Sequence, residues 1–277
     1  MSKYFHLIFL GLITWQLSAQ PNCNAFLWSG DTTQYQACKV YEGFRKYYQF
    51  DMRAIRILDS CLAICPYFAD AYYEYAVVYL KAGNFVEWDR YINMAVHYNP
   101  SSYLGLRASC RGKFFADYQG AIDDIDSLDA LLDYDIGFIH NGDYHLNAYK
   151  AICYKALGKY KKAIEVFEKH ITENAEMVGF LDYLHLGVAY QNIGNHSKAI
   201  ECFDKQRGIN NLAENNYYYA RSYLELGDID KFEIYIAEAE KLLQTAQKMN
   251  DPYHILEDEI FMFDIVKIKK LATAASK

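Results

Sequence analysis

Seven cysteines stand at positions 23, 38, 61, 65, 110, 153 and 202. A thiolate can bind a metal, attack an electrophile or cross-link, so they are the first side chains to examine. Four of them, Cys23, Cys38, Cys61 and Cys65, crowd into the first quarter of the chain. Cys61 and Cys65 are one helical turn apart, in a CxxxC spacing and not the CxxC of a redox motif. In an oxidising compartment the expected chemistry is two disulfides. Across a helical hairpin Cys38 falls opposite Cys61, which favours Cys38 with Cys61 and Cys23 with Cys65, although four cysteines allow three pairings. A four-thiolate metal site is the alternative. Cys110, Cys153 and Cys202 are expected to be buried free thiols.

Histidines and acids offer two further clusters. His140, Asp143 and His145 lie close together and would need a fourth ligand to hold a metal. They read instead as solvated loop residues, with Asp143 as the N-cap of the next helix. Asp123, Asp124, Asp126 and Asp129 read as the solvated face of a helix, because the calcium loop's glycine turn is missing. The sequence holds no HExxH, GxSxG, GxxxxGK or GxGxxG. No catalytic residue, metal or cofactor is therefore expected, and the chain is not expected to be an enzyme.

Composition narrows the partners. The 277 residues are 52% hydrophobic and carry a formal charge of -7, which excludes the basic footprint of a nucleic-acid binder. Residues 1–20 combine Lys3, an apolar run over 4–17 and Ser18-Ala19-Gln20. This is the pattern of a cleaved secretory signal, too short for a comfortable membrane span. The chain is expected to be exported, periplasmic or secreted, with no stable span after cleavage.

The elements that must position these residues recur. Residues 69–100 hold two apolar-periodic runs joined at Gly83-Asn84 and closed by Pro100. Aligning on Gly83 brings Gly158, Gly194 and Gly227 into register, with Ala116 as a fourth match. A period near 34 residues is a solenoid signature. It divides the chain into a lead-in at 21–34 and repeats at about 35–66, 69–100, 102–131, 144–174, 180–210 and 213–249. The fourth follows a stretched loop at 131–143. Asp51 is read as the N-cap of the second helix of the first repeat. Asp251-Pro252 is read as the start of a capping helix at 251–270.

The repeats resemble tetratricopeptide repeats (TPR). The fifth carries Tyr183, Leu186-Gly187, Tyr190, Gly194, Ala199 and Phe203, and the second carries Tyr72, Tyr75-Ala76, Tyr79, Gly83, Ala95 and Pro100. The small residues Ala76, Ala151, Gly187 and Ala220 would let paired helices approach, and Tyr79, Tyr154, Tyr190 and Tyr223 would wedge between neighbouring hairpins. Trp88 stands where the family usually has Ala and is expected to disturb its hairpin. The resemblance implies an all-α, right-handed solenoid of about six helical hairpins with a C-terminal capping helix. It further implies that Tyr73, Val77, Leu106, Lys113, Ile152, Lys155, Leu184, Val188, Gln191, Tyr217 and Arg221 line a concave groove. This line is apolar and aromatic with lysines along one edge, which suits an extended peptide of acidic character. The dicarboxylate clamp of chaperone-binding members is not implied, because Val77, Ile152 and Val188 replace its asparagines. The expected function is a non-catalytic protein- or peptide-binding scaffold or adaptor outside the cytoplasm. A self-associating envelope subunit, hence a homo-oligomer, and a glycan- or small-ligand-binding module are the alternatives.

Overall fold

The computed structural model describes residues 22–275; the expected signal sequence lies outside them. The described residues form fourteen α-helices and no strand beyond an isolated bridge between Phe138 and His145. The chain divides into two compact units, one ending at Tyr98 and one beginning at Asn99.

The first unit contains α1 (Cys23–Trp28), α2 (Thr32–Tyr41), a 3-10 turn at Phe44–Lys46, α3 (Met52–Ile64), α4 (Ala69–Lys81) and α5 (Phe85–Tyr98). The lead-in is therefore mostly helical. Helices α2 and α3 form a first hairpin, and α4 and α5 a second. Asp51 caps α3 as read, accepting from the Arg53 N–H at 2.8 Å. Ala54, Leu58 and Cys61 turn into a core with Tyr41, Phe44 and Phe68. The Tyr41 ring stacks on Phe44 at 5.6 Å and meets Phe68 edge-on at 5.7 Å. Trp88 is buried within α5 beside the regular core positions Ile92 and Ala95.

The second unit contains α6 (Pro100–Phe115), α7 (Tyr118–Leu131), α8 (Leu146–Ala156), α9 (Tyr160–Glu173), α10 (Asp182–Asn192), α11 (His196–Ile209), α12 (Ala213–Glu225), α13 (Ile229–Gln244) and α14 (Met262–Ala275). The first eight pack as four hairpins. Pro100 does not close the preceding repeat. It opens α6, with Asn99 capping the Ser102 N–H, because proline is pre-organised for a helix's first turn. Asp143 is not the cap of α8; the His145 imidazole takes the Asn147 N–H instead. Asp251-Pro252 starts no helix. Residues 245–261 are a non-helical strap, and α14 begins only at Met262, where Asp264 reaches back to the Phe261 N–H at 2.9 Å.

Local chemistry explains the hairpin turns. Gly83, Gly158, Gly194 and Gly227 follow their helices at φ between 70° and 78°, the left-handed conformation that closes a helix C-terminus. Ala116 holds the same place at φ 52° with a Cβ that opposes it. Asp117, Asn195 and Asp228 then cap the following helices. Within the fifth hairpin Gly187 is required for close approach: a Cβ there would lie 2.3 Å from the Phe203 ring. The tyrosines stack inside hairpins and bond between them, the Tyr190 hydroxyl donating to Glu168 of the preceding hairpin. Tyr79 stacks on Tyr75 and Tyr91, and Tyr223 on Tyr219 and Tyr235. The hydroxyls of Tyr75 and Tyr219 donate to Asp59 and Asp204 on the preceding helices.

Candidate functional site: a groove closed by the chain's own strap

Lys113 and Lys155 sit in the last turns of α6 and α8, where the helix dipole favours a cation. Both side chains turn inward and are more than nine-tenths buried. Burying an ammonium is costly without a partner, and each has one from the strap. Lys113 Nζ lies 3.2 Å from the Asp251 carboxylate, and Lys155 Nζ pairs with Asp258. Asp143 of the long loop stands 3.7 Å from Lys113 on its other side.

Around Asp258 the strap meets a buried chain of polar groups. The Asp258 carboxylate lies 2.7 Å from His185 Nδ1, and His185 Nε2 lies 3.1 Å from the Tyr144 hydroxyl. Burial alone would raise the Asp258 pKa, but Lys155 and His185 together hold it below the usual carboxylate value. For His185 burial and then Lys155 depress the pKa, against the opposing pull of Asp258. The order Asp–His–Tyr resembles a proton relay. Burial pushes the Tyr144 hydroxyl far above the ordinary phenol value, so it keeps its proton and is not a nucleophile.

Further contacts fix the strap at both ends. Glu214 on α12 accepts the Met249 N–H at 3.0 Å. Burial raises its pKa to about 7. The Tyr118 hydroxyl donates to Glu257 at 3.1 Å, and Lys248 pairs with Glu259. Leu256 and Ile260 are buried, whereas Tyr253 and Ile255 project into solvent. Asp258 itself stands at φ 66°, a left-handed conformation that ends any helix begun at Asp251. A cavity of about 50 Å³ remains between the strap and α6, α7 and α8, lined by Lys113, Tyr118, Tyr149, Cys153, His254 and Glu257.

The residues assigned to a groove are thus brought together only in part. Lys113, Ile152 and Lys155 meet the strap or its cavity. Leu184, Val188 and Gln191 are buried, and Gln191 spends its amide on the Tyr218 carbonyl and Ser222. Leu106, Tyr217 and Arg221 remain partly exposed in the second unit, as do Tyr73 and Val77 in the first.

Two sequence expectations need correction on cysteine and acid placement. The disulfide joins Cys23 to Cys38, with Cα atoms 5.5 Å apart, and Cys61 and Cys65 are free. Helix α1 folds back on α2 and brings Cys23 to Cys38, while Cys61 gives its thiol hydrogen to the Ala37 carbonyl at 3.4 Å. Burial pushes Cys61, Cys110 and Cys202 up to about 12, so these thiols are inert. Asp124 is not on a solvated face. It is buried between Arg107 at 2.6 Å and Arg111 at 2.9 Å, locking α6 to α7.

The histidines also depart from a solvated loop. His145 is fully buried, 2.9 Å from Asp135 and stacked on His170 at 4.6 Å. Burial lowers its pKa. His140 and Asp143 stay exposed, as read. Among the described residues no group of histidines, cysteines and acids is arranged to hold a metal.

Sequence comparison assigns the hairpins that carry much of this site. Residues 150–176 and 183–209 match the family model of the tetratricopeptide repeat. These two hairpins are TPR repeats. No curated protein is detectably similar to it in sequence. Solved structures of similar fold include PilF of Pseudomonas aeruginosa, with a TM-score of 0.58 at 15% identity over 88% of this chain and 99% of that one. PilW, a type IV pilus biogenesis factor, gives 0.55 at 14% identity over 79% and 98%. MamA from Desulfovibrio magneticus RS-1 gives 0.54 at 18% identity over 65% and 97%. At these identities the likeness concerns the fold.

Proposed function

We propose that the chain is a non-catalytic scaffold or adaptor that acts outside the cytoplasm and binds a protein or peptide of acidic character in the groove of its second unit. One observation carries this reading. Buried lysines on successive hairpins, Lys113 and Lys155, each seat a carboxylate from a non-helical segment. TPR folds generally mediate protein–protein interaction, and rigid helices presenting a lined groove suit that task. The Cys23–Cys38 bond supports an oxidising compartment, as does the signal-like N-terminus. No helix among the described residues is long and apolar enough to cross a membrane.

Self-association is the second reading, favoured by the exposed Phe261, Phe263, Val266 and Leu271 at and along α14. The tyrosine platforms of a glycan-binding module gain less support, because the main tyrosine clusters stack on themselves.

The test places a photo-crosslinking residue at Leu106 or Tyr217 in the groove, and at exposed Ile234 as a control, followed by mass spectrometry. One dominant protein adduct from the groove positions alone is the expected result. Equal adducts from Ile234 would overturn the groove reading, and adducts between copies of the chain alone would favour self-association.

A further inference from the structure

The strap occupies the place where a partner's segment would lie, and its chemistry describes that partner. We propose that residues 249–261 are a resident pseudo-ligand, and that a partner protein's extended acidic segment replaces them, two of its carboxylates taking the places of Asp251 and Asp258. The inference rests on the adaptor reading above and specifies the ligand class of the same groove.

Three observations support it. First, cationic or polar groups on three different hairpins converge on this one segment: Lys113 of α6, Lys155 of α8 and His185 of α10. A replacement that brought no carboxylates would leave the buried Lys155 ammonium without a carboxylate and Lys113 with Asp143 alone, at 3.7 Å, which selects acidic segments. Second, the strap is held mainly by side chains and is non-helical, so it can leave without unravelling a helix. Its tip is open, Tyr253 being 82% and Ile255 72% exposed, and Asp258 is released from a left-handed backbone when it goes. Third, both ends of the strap are rooted in the same unit, because α14 packs on α12 and α13. Exchange with a second copy would require α14 to leave as well, whereas a partner's segment displaces the strap alone.

The decisive probe is a labelled peptide of residues 249–262 added in trans to the full-length protein. Wild type, with its strap closed, is compared with the double variant Asp251→Asn/Asp258→Asn. Hydrogen exchange of the 250–260 amides should accelerate about tenfold or more in the variant while α8–α11 stay protected. The peptide should bind the variant about tenfold or more tightly than wild type, since less of the groove is self-occupied. Adding Lys113→Met and Lys155→Met should remove that binding. A released strap with no peptide binding would overturn the proposal, as would binding that survives loss of both lysines. A strap that remains protected in the variant would do the same, and so would a concentration-dependent dimer with exchanged straps. Should the double variant fail to fold, wild-type protein nicked at exposed Tyr253 takes its place, with the same expected and opposing results. A partner crosslinked at Leu106 or Tyr217 equally well with and without Lys113 and Lys155 would leave the adaptor reading standing and sink only this inference.

Discussion

At the scale of residues, the groove's energetics turn on one ion pair. Lys155 and Asp258 are both buried, so removing the ammonium strands a carboxylate beside His185. Breaking such a pair from one side typically costs about 3–5 kcal/mol. Lys155→Met should therefore lower the unfolding free energy by that much, shifting the urea midpoint down without changing the slope. Lys155→Met combined with Asp258→Asn should cost clearly less than the sum of the singles, and a double-mutant cycle measures the difference. Ala116 makes the opposite case. It stands at φ 52° where the other hairpins place glycine. A left-handed non-glycine residue costs about 1–2 kcal/mol, offset in part by the greater unfolded-state freedom of glycine. Ala116→Gly should stabilise the protein by about 1 kcal/mol in the same denaturation experiment.

At the scale of elements, what the sequence discloses depends on where a segment's partners lie. The six hairpins are legible because their determinants are local: a small residue or glycine where helices touch, a left-handed glycine at the turn, and an Asp or Asn cap just after it. The strap is not, because Leu256, Ile260 and Phe263 have helical spacing and Asp251-Pro252 is a good helix start. Its fate is set by Lys113 and Lys155, more than a hundred residues earlier, and such tertiary pairing overrides propensity. Asp124 misleads for the same reason, since nothing near it in sequence announces Arg107. The lysines themselves are legible as an acidic-ligand edge, but their occupant is not. The cysteines show the reach of helix α1, which the turn-rich lead-in conceals. Because the Cys23–Cys38 bridge closes a loop of 15 residues, its loss should cost about 3 kcal/mol on the chain-entropy account. Non-reducing peptide mapping should recover Cys23 linked to Cys38, with Cys61 and Cys65 alkylated only after denaturation. Any recovered Cys38–Cys61 link would contradict the structure.

At the scale of the whole molecule, the buried titratable groups set how stability follows pH, and they do not all pull one way. His145 and His185 have folded-state pKa values below the ordinary 6.5, with burial the largest cause in each. The unfolded chain therefore binds protons that the folded chain refuses. Their contribution is fully present above about pH 6.5 and is lost as pH falls toward their folded values. Glu214 has the reverse sign. Its pKa rises from 4.5 to about 7, so its contribution is present below pH 4.5 and fades as pH climbs through about 7. Between about pH 5 and 6.5 the two histidines make stability rise with pH and Glu214 opposes them, so the net slope should be shallower than the histidines alone would give. Glu214→Gln removes the opposing group and keeps an amide where the strap's Met249 N–H needs an acceptor. Acid loss of stability should then steepen, read as the pH dependence of the urea midpoint. An unchanged slope would mean that Glu214 is ionised throughout this range, with its charge balanced by the strap's own Met249 amide. The base of the strap would then be held equally firmly on both sides of neutral pH. A steeper slope would instead make Glu214 the group through which acid tightens the strap, while the same acid strains the histidine at its far end.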